Sequence, residues 1–238
     1  MNERDALYFL KGELKLAQKV SCLIPESERS NHLDHIDALI YAIKAMERYR
    51  TEQYENEELL KELNEFTKRE HKAEEVFIFD VILCNNDVDR DGDMFCDSAI
   101  YELANKYKGV TGIFNTKQPY ISARIFKTEV IEDPERITET GNVFKEVKAY
   151  AYMVRNASNV DFIKDIEAGI KKEVSISCSA RKQVCSICGR DMLHDRCVHI
   201  KNDDYEGETC RGILTDIQDV YEWSFVTPPV LSHSIKYW

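Results

Sequence analysis

Cys185-Ser186-Ile187-Cys188-Gly189 is the stretch of this chain best equipped for chemistry. A C-x2-C turn presents two thiolates from one tight bend, as a tetrahedral metal site requires. Cys210 is a natural third ligand. The fourth is Cys197 or His199, and with one residue between them the spacing does not choose. His194 is a less favoured alternative. Gly189 after the pair and Gly207 before Cys210 suit the turns such a site needs. Four protein ligands leave no position for water, so the expected metal is a structural Zn2+, not a catalytic one.

A second group of residues flanks this knuckle. Glu173-Val174-Ser175-Ile176-Ser177-Cys178 alternates apolar residues with hydroxyls, the period of a strand with one apolar face. Ser175 is a candidate nucleophile, although serine needs a base to take its proton. Glu222, between large apolar residues in Tyr221-Glu222-Trp223-Ser224-Phe225-Val226, reads as a partly buried carboxylate and so calls for a partner. Asp87-Val88-Asp89-Arg90-Asp91-Gly92-Asp93 resembles the start of an EF-hand loop, but its twelfth position is Ser98 where a bidentate Glu belongs. A tight turn using Gly92 is the better account. His32 and His35 stand three apart in a helical pattern, without a nearby carboxylate–histidine motif that would point to a metal.

The elements that must position these residues fall into two blocks. Residues 1–73 read as a helical N-terminal arm. Ile36, Leu39, Ile40, Ile43 and Met46, then Leu59, Leu60, Leu63 and Phe66, recur at helical spacing. Pro25 and the polar run after it separate a first helix from a second. From Val76 to Leu83 the residues turn β-branched and aromatic, predicting a buried strand. A helix follows over about 97–107 with Asp97 as its N-cap. Strands are expected at 110–114, 123–131 and 142–154, the last two joined by a loop holding Pro134 and Gly141. A helix over about 158–168 ends at Gly169, and strands follow at 172–178 and within 213–226. The predicted class is α+β: a mostly β domain over 74–238 with two helices, carrying the zinc knuckle as an insertion at about 183–211.

Composition narrows the function. The 238 residues carry a net charge of −11, which disfavours nucleic acid as a partner because phosphate binding rests on Lys and Arg. Lys164, Lys171, Lys172, Arg181 and Lys182 form at most a local basic patch. No apolar run approaches the ~20 residues of a membrane span, and the first residues lack a signal-peptide pattern, so no membrane association or export is expected. Eight cysteines in that setting point to thiols or metal, not a disulfide framework. Cys22, Cys84, Cys96 and Cys178 are expected as small core residues.

Over about 75–230 the chain resembles the prohead (capsid maturation) serine proteases of tailed bacteriophages, which share a fold with the herpesvirus assembly proteases. The resemblance is carried by Asn86-Asp87-Val88-Asp89-Arg90-Asp91-Gly92-Asp93, Thr111-Gly112-Ile113-Phe114, Ala123-Arg124-Ile125-Phe126, Glu173-Val174-Ser175-Ile176 and the closing Tyr221–Val226 segment. The Cys-Ser-Ile-Cys-Gly knuckle resembles a variant found among prophage members. The resemblance implies a mostly antiparallel, barrel-like protease domain with peripheral helices, in which Ser175 is the nucleophile and Glu222 the orienting acid. Its partners would be phage capsid or scaffold protein, met in the bacterial cytoplasm within or on assembling procapsids, and a homo-oligomer stays open. The family's base is a histidine shortly after the Gly-Ile-Phe segment, where this chain has Thr116. Neither Thr116 nor Asn115 can accept a proton near neutral pH. Two functions are therefore expected as alternatives: a serine endopeptidase, or a catalytically silent, zinc-stabilised relative that binds or scaffolds. Thr227-Pro228-Pro229 also departs from the family's small-residue ending.

Overall fold

The structure is a computed structural model that describes residues 3–113, 121–226 and 235–237. The chain divides by compactness into Met1–Leu59 and Leu60–Trp238, a boundary that falls inside one long helix.

The first unit holds α1 (Glu3–Val20), two 3-10 turns around Pro25, and most of α2 (Arg29–Phe66). Leu10, Leu14 and Ala17 of α1 pack with Ile36, Leu39 and Ile40 of α2 in a small core. Lys11 pairs with Glu47 at 2.7 Å. His32 Nε2 lies 3.0 Å from Ala17 O and 3.0 Å from Ser21 Oγ, so it ties the two helices together instead of joining His35 in a metal pair.

In the second unit the last turns of α2 belong with the β domain, which is why the compact boundary precedes the expected one at 73/74. Glu62 accepts from Lys127 Nζ at 2.8 Å, and Arg124 lies over the Phe66 ring at 4.7 Å. Asn64 then grips both backbone groups of His71 and turns the chain toward the sheet.

The sheet is built from β1 (Val76–Asn85), β2 (Asp93–Phe95), β3 (Thr111–Ile113), β4 (Ile121–Ile137), β5 (Val143–Val154), β6 (Val174–Cys185), β9 (Gly212–Phe225) and β10 (Ile235–Tyr237). Its order is β10-β1-β5-β4-β3-β9-β2, with β6 also paired to β9. Pairing is antiparallel except where β2 and β3 meet β9 in parallel, so the sheet is mixed. A small hairpin, β7 (Asp204–Tyr205) and β8 (Glu208–Thr209), lies apart from it within the knuckle. Helices α3 (Asp97–Tyr107) and α4 (Val160–Glu167) complete an α+β fold. No helix among the described residues is long and apolar enough to cross a membrane.

The core follows the alternation in the sequence. Phe77, Phe79, Val81 and Leu83 of β1, Val147 to Met153 of β5 and Trp223 of β9 form one buried cluster with the apolar faces of α3 and α4. Phe79, Trp223 and Phe225 meet ring to ring at centroid separations of 5.9 to 6.3 Å. Tyr107 at the end of α3 is buried, and its hydroxyl donates to Ser177 O at 2.9 Å, fixing β6 from the core side. Burial raises the Tyr107 hydroxyl pKa, with the nearby Cys178 and Cys84 thiols adding to the rise, so it serves as a neutral donor.

Four expectations change. The barrel is not closed among the described residues: β6 pairs only with β9, and β10 takes the edge of β1 at Phe79–Val81. Asp97 does not cap α3. Cys96 holds the N-cap position, while the Asp97 carboxylate is drawn to Lys145 Nζ at 2.6 Å and Asn86 Nδ2 at 3.0 Å. Pro134 does not break the chain into a loop. It sits inside β4 where the register jumps between Asp133 and Ile137, the irregular position a strand proline needs, and the turn shrinks to 138–142. Cys22 is exposed in the 3-10 turn Ser21–Leu23 after α1, while Cys84 is buried and Cys96 and Cys178 are half-buried.

Candidate functional site

Strands β6 and β9 carry both groups of candidate residues. They run antiparallel from Val174↔Phe225 to Cys185↔Gly212, and the knuckle is the excursion between their far ends. β6 therefore delivers Ser175 near its start and the first metal ligand, Cys185, at its last residue.

The knuckle turn closes when Gly189 N donates to Cys185 O at 2.9 Å, with Gly189 at a left-handed φ of 71°. Cys185, Cys188, Cys197 and His199 then converge, their ligand atoms all within 4.8 Å of one another. Zinc bonds of about 2.3 Å to sulfur and 2.0–2.1 Å to nitrogen imply tetrahedron edges of about 3.8 Å for S···S and 3.6 Å for S···N. The chain supplies Cys188 Sγ···Cys197 Sγ at 3.7 Å, Cys185 Sγ···His199 Nδ1 at 3.6 Å and Cys197 Sγ···His199 Nδ1 at 3.7 Å. Three edges match, and these residues can hold a metal ion such as zinc. Both residues of the Cys197/His199 alternative join the group. Cys210, fully buried, lies beside the group with its Sγ 3.7 Å from Cys185 Sγ, a separation that also equals a sulfur–sulfur edge. His194 is engaged elsewhere, its Nδ1 2.8 Å from Asp191 Oδ2.

The electrostatics separate the thiols. Burial pushes the Cys185 thiol up, but N–H groups of Cys188 and Ile187 aimed at its sulfur, with the neighbouring thiols, bring it down to about 7. Burial, and then the Cys185 sulfur beside it, push Cys210 up to about 11. Cys197 receives the His199 N–H, which lowers it, yet desolvation and the Cys185 and Cys188 sulfurs leave it above an ordinary thiol. Cys185 is thus the readiest thiolate, and Cys210 is suited to donate an S–H to it. The Tyr205 ring meets the His199 ring edge-on at 4.5 Å, and Tyr205 Oη accepts from Ile200 N at 2.9 Å. Tyr205 is held there by the hairpin turn at Glu206 and Gly207, both of which adopt positive φ.

Ser175 lines a cleft of about 310 Å³. Leu83, Phe95, Ile176 and Leu214 give it an apolar surface, and Asp87, Asp89 and Asp93 line it with carboxylates. Asp89 is used by the turn itself: its Oδ1 accepts from Asp91 N at 2.9 Å and Asp93 N at 2.8 Å, and Gly92 closes the bend at φ 77°. Burial raises the Asp89 carboxyl, against the lowering by those two N–H groups. The EF-hand resemblance is therefore a tight turn.

Glu222 is exposed, not buried. It faces Ser177 across the strand pair while its neighbour Trp223 takes the core side opposite Ile176. Trp223 points to the opposite face, and Tyr221, the unpaired residue where the register shifts between Ser177 and Cys178, is itself exposed, so neither neighbour buries Glu222. Ser175 and Glu222 share one face as diagonal neighbours, whose backbone spacing is about 7–8 Å. Thr116, the position matched to the family's histidine, lies outside the described residues, as do Phe114, His233 and Thr227-Pro228-Pro229.

Comparison with known proteins adds no relative. No protein-family model, curated protein or solved structure matches the chain.

The site geometry includes residues the sequence did not single out. Lys201 donates to Asp93 Oδ2 at 2.6 Å and Gln183 Nε2 to Asp93 Oδ1 at 2.6 Å, joining the knuckle to the acidic turn. Lys201 and Asp93 are far apart in sequence, and no local pattern links them. The glycines at 92 and 212, where the two segments cross closely, were the available signal.

Proposed function

We propose that this chain is a prohead-protease-type protein of phage capsid assembly that binds scaffold or capsid polypeptide in the Ser175 cleft, on a fold braced by a structural zinc ion, with little or no endopeptidase activity. The observation that carries this reading is the lining of the cleft. Its ionisable groups are three aspartates and the Cys178 thiol, whose pKa burial raises, and no imidazole lines it among the described residues. His71 packs against Tyr152, His194 pairs with Asp191 and His199 belongs to the metal group. His32 and His35 belong to the helical unit. A serine hydroxyl without a base is a weak nucleophile, and loss of one triad member leaves only residual rates. The four-donor metal group leaves no open coordination position, which supports a structural role.

The endopeptidase alternative is favoured by one observation, the shared face of Ser175 and Glu222, whose separation a histidine between them could bridge. The test is incubation with cognate capsid and scaffold proteins, beside Ser175→Ala and Thr116→His. The binding reading expects co-sedimentation with the partner, no cleavage by the natural chain, and a gain of cleavage in Thr116→His. Cleavage by the natural chain that Ser175→Ala abolishes would overturn it in favour of the endopeptidase.

A further inference from the structure

The knuckle reaches the cleft through the residues that follow its histidine. Lys201 Nζ bonds Asp93 Oδ2 at 2.6 Å. Asn202 adopts a left-handed φ of 69° and sits so close to Gly92 that a Cβ there would lie 2.7 Å from Asn202 Oδ1. Asn202 N donates to Cys210 O at 2.9 Å, and Gly212 N donates to Gly92 O at 2.9 Å. Asp93 in turn is locked to Asp89, whose N–H donates to Asp93 O at 2.7 Å. Asp89 and Asp93 both line the Ser175 cleft.

The knuckle segment has little apolar packing of its own to keep this arrangement. Val198 is 82% exposed, Ile200 63% and Leu193 54%, so the hydrophobic effect does not order it. Its regular structure is the two-residue ladder of β7 and β8. A bound metal, fixing Cys185, Cys188, Cys197 and His199 together, is the strongest ordering influence available to it.

We propose that metal binding in the knuckle holds the acidic wall of the Ser175 cleft in place, with Lys201 as the positioning residue that carries the constraint from His199 to Asp93. This rests on the metal-binding reading above. With the metal bound, the 199–202 segment is fixed and Lys201 pins the Asp89–Asp93 turn. Without it, Lys201 and Asn202 withdraw and the turn loosens, while the β1, β5 and β9 core stays intact.

Amide hydrogen exchange on the full chain tests this, after Co2+ titration has established whether one metal binds per chain. Chelator-stripped and Zn2+-loaded protein are compared at peptides covering 88–95, 186–211 and, as reference, 144–153. The expected result on stripping is exchange faster by about five-fold or more at both 88–95 and 186–211, with 144–153 unchanged. Lys201→Met should keep the Co2+ spectrum and metal stoichiometry, yet show fast exchange at 88–95 even when loaded. Acceleration confined to 186–211 would overturn the coupling and leave the metal site standing. Equal acceleration at 144–153 would overturn it as well, since the metal would then support the whole fold. Failure to bind Co2+ would remove the metal reading and this proposal together.

Discussion

Gly212→Ala probes the crossing point of sheet, knuckle and acidic turn with one methyl group. Gly212 pairs with Cys185 on one side and Asp93 on the other. A Cβ there would stand 2.3 Å from Asp93 Oδ1 and 2.8 Å from Gln183 Nε2, so both atoms must move. Neither moves freely, because Gln183 Nε2 is bonded to Asp93 Oδ1 at 2.6 Å and Lys201 Nζ to Oδ2 at 2.6 Å. Losing one charge-assisted bond costs about 1.5–3 kcal/mol, and crowding a packed position costs about 1–3 kcal/mol. The two overlap, since the bond is lost in relieving the crowding. Alanine also restricts the unfolded chain, which returns about 0.4–1 kcal/mol. The net expectation is a loss of about 2–3 kcal/mol, or a Tm lower by about 4–12 °C for a chain of this size. Urea unfolding of the metal-loaded protein, followed by tryptophan fluorescence, measures it. Asp93→Ala removes the clashing oxygen, so adding Gly212→Ala to that background should cost under about 1 kcal/mol. A single mutant within about 0.5 kcal/mol of the parent, or strictly additive losses, would refute the reasoning.

Other outcomes follow from the same geometry. Cobalt-loaded protein should show charge-transfer absorbance from three thiolates; Cys188→Ser and Cys197→Ser should each lose a share while Cys210→Ser keeps all three, and a loss with Cys210→Ser would place that thiol among the ligands. Metal binding must displace thiol protons, so acidification from pH 7.5 to about 5 should release the ion to a chromogenic chelator, and retention unchanged over that range would contradict thiolate ligation. The Asp97 carboxyl is held below its ordinary range first by Lys145 and then by Asn86, and Lys145 is raised chiefly by Asp97. Their mutual stabilisation should be complete between the unfolded values of about 3.9 and 10.4, and be lost as pH falls through the depressed Asp97 value. Lys145→Met should therefore destabilise by about 1–2 kcal/mol at pH 7 and by progressively less in acid, while a pH-independent penalty would assign Lys145 to packing alone.

Sequence and structure agree where the information is local. The period of Val76–Leu83, the helical pattern over about 97–107 and the terminator Gly169 locate β1, α3 and α4 within a few residues. The C-x2-C turn marked the metal group because its chemistry needs only four consecutive positions. What the sequence did not carry was set by contacts between distant segments. Choosing between Cys197 and His199 depends on how the chain folds between β6 and β9, which brings both residues of the alternative into the group and sets Cys210 Sγ 3.7 Å from Cys185 Sγ. Glu222 was misjudged because burial in a strand follows the face: Trp223 takes the core side, while Tyr221 sits exposed at a register shift and covers nothing. Asp97 looked like a cap by its position, and a lysine from β5 claimed its carboxylate. Barrel closure turns on how β1 and β6 meet, which neither strand's own pattern encodes.

The pairing of Cys185 with Gly212 has a further consequence for how such a protein can change. The segment 186–211 leaves the sheet and returns to it at adjacent positions, so the ladder before and after it is indifferent to what lies between. Loop-closure entropy grows only by about 0.6 kcal/mol for each doubling of length, so a segment of this kind can be lengthened, shortened or exchanged at small thermodynamic cost. A two-residue turn could bridge β6 and β9 directly and yield an ordinary hairpin. The knuckle is, in this sense, a removable cassette. The acidic turn it grips is not removable, because it is the link from β1 to β2. Evolution of this architecture can therefore swap the device that steadies the turn while the turn itself stays in place.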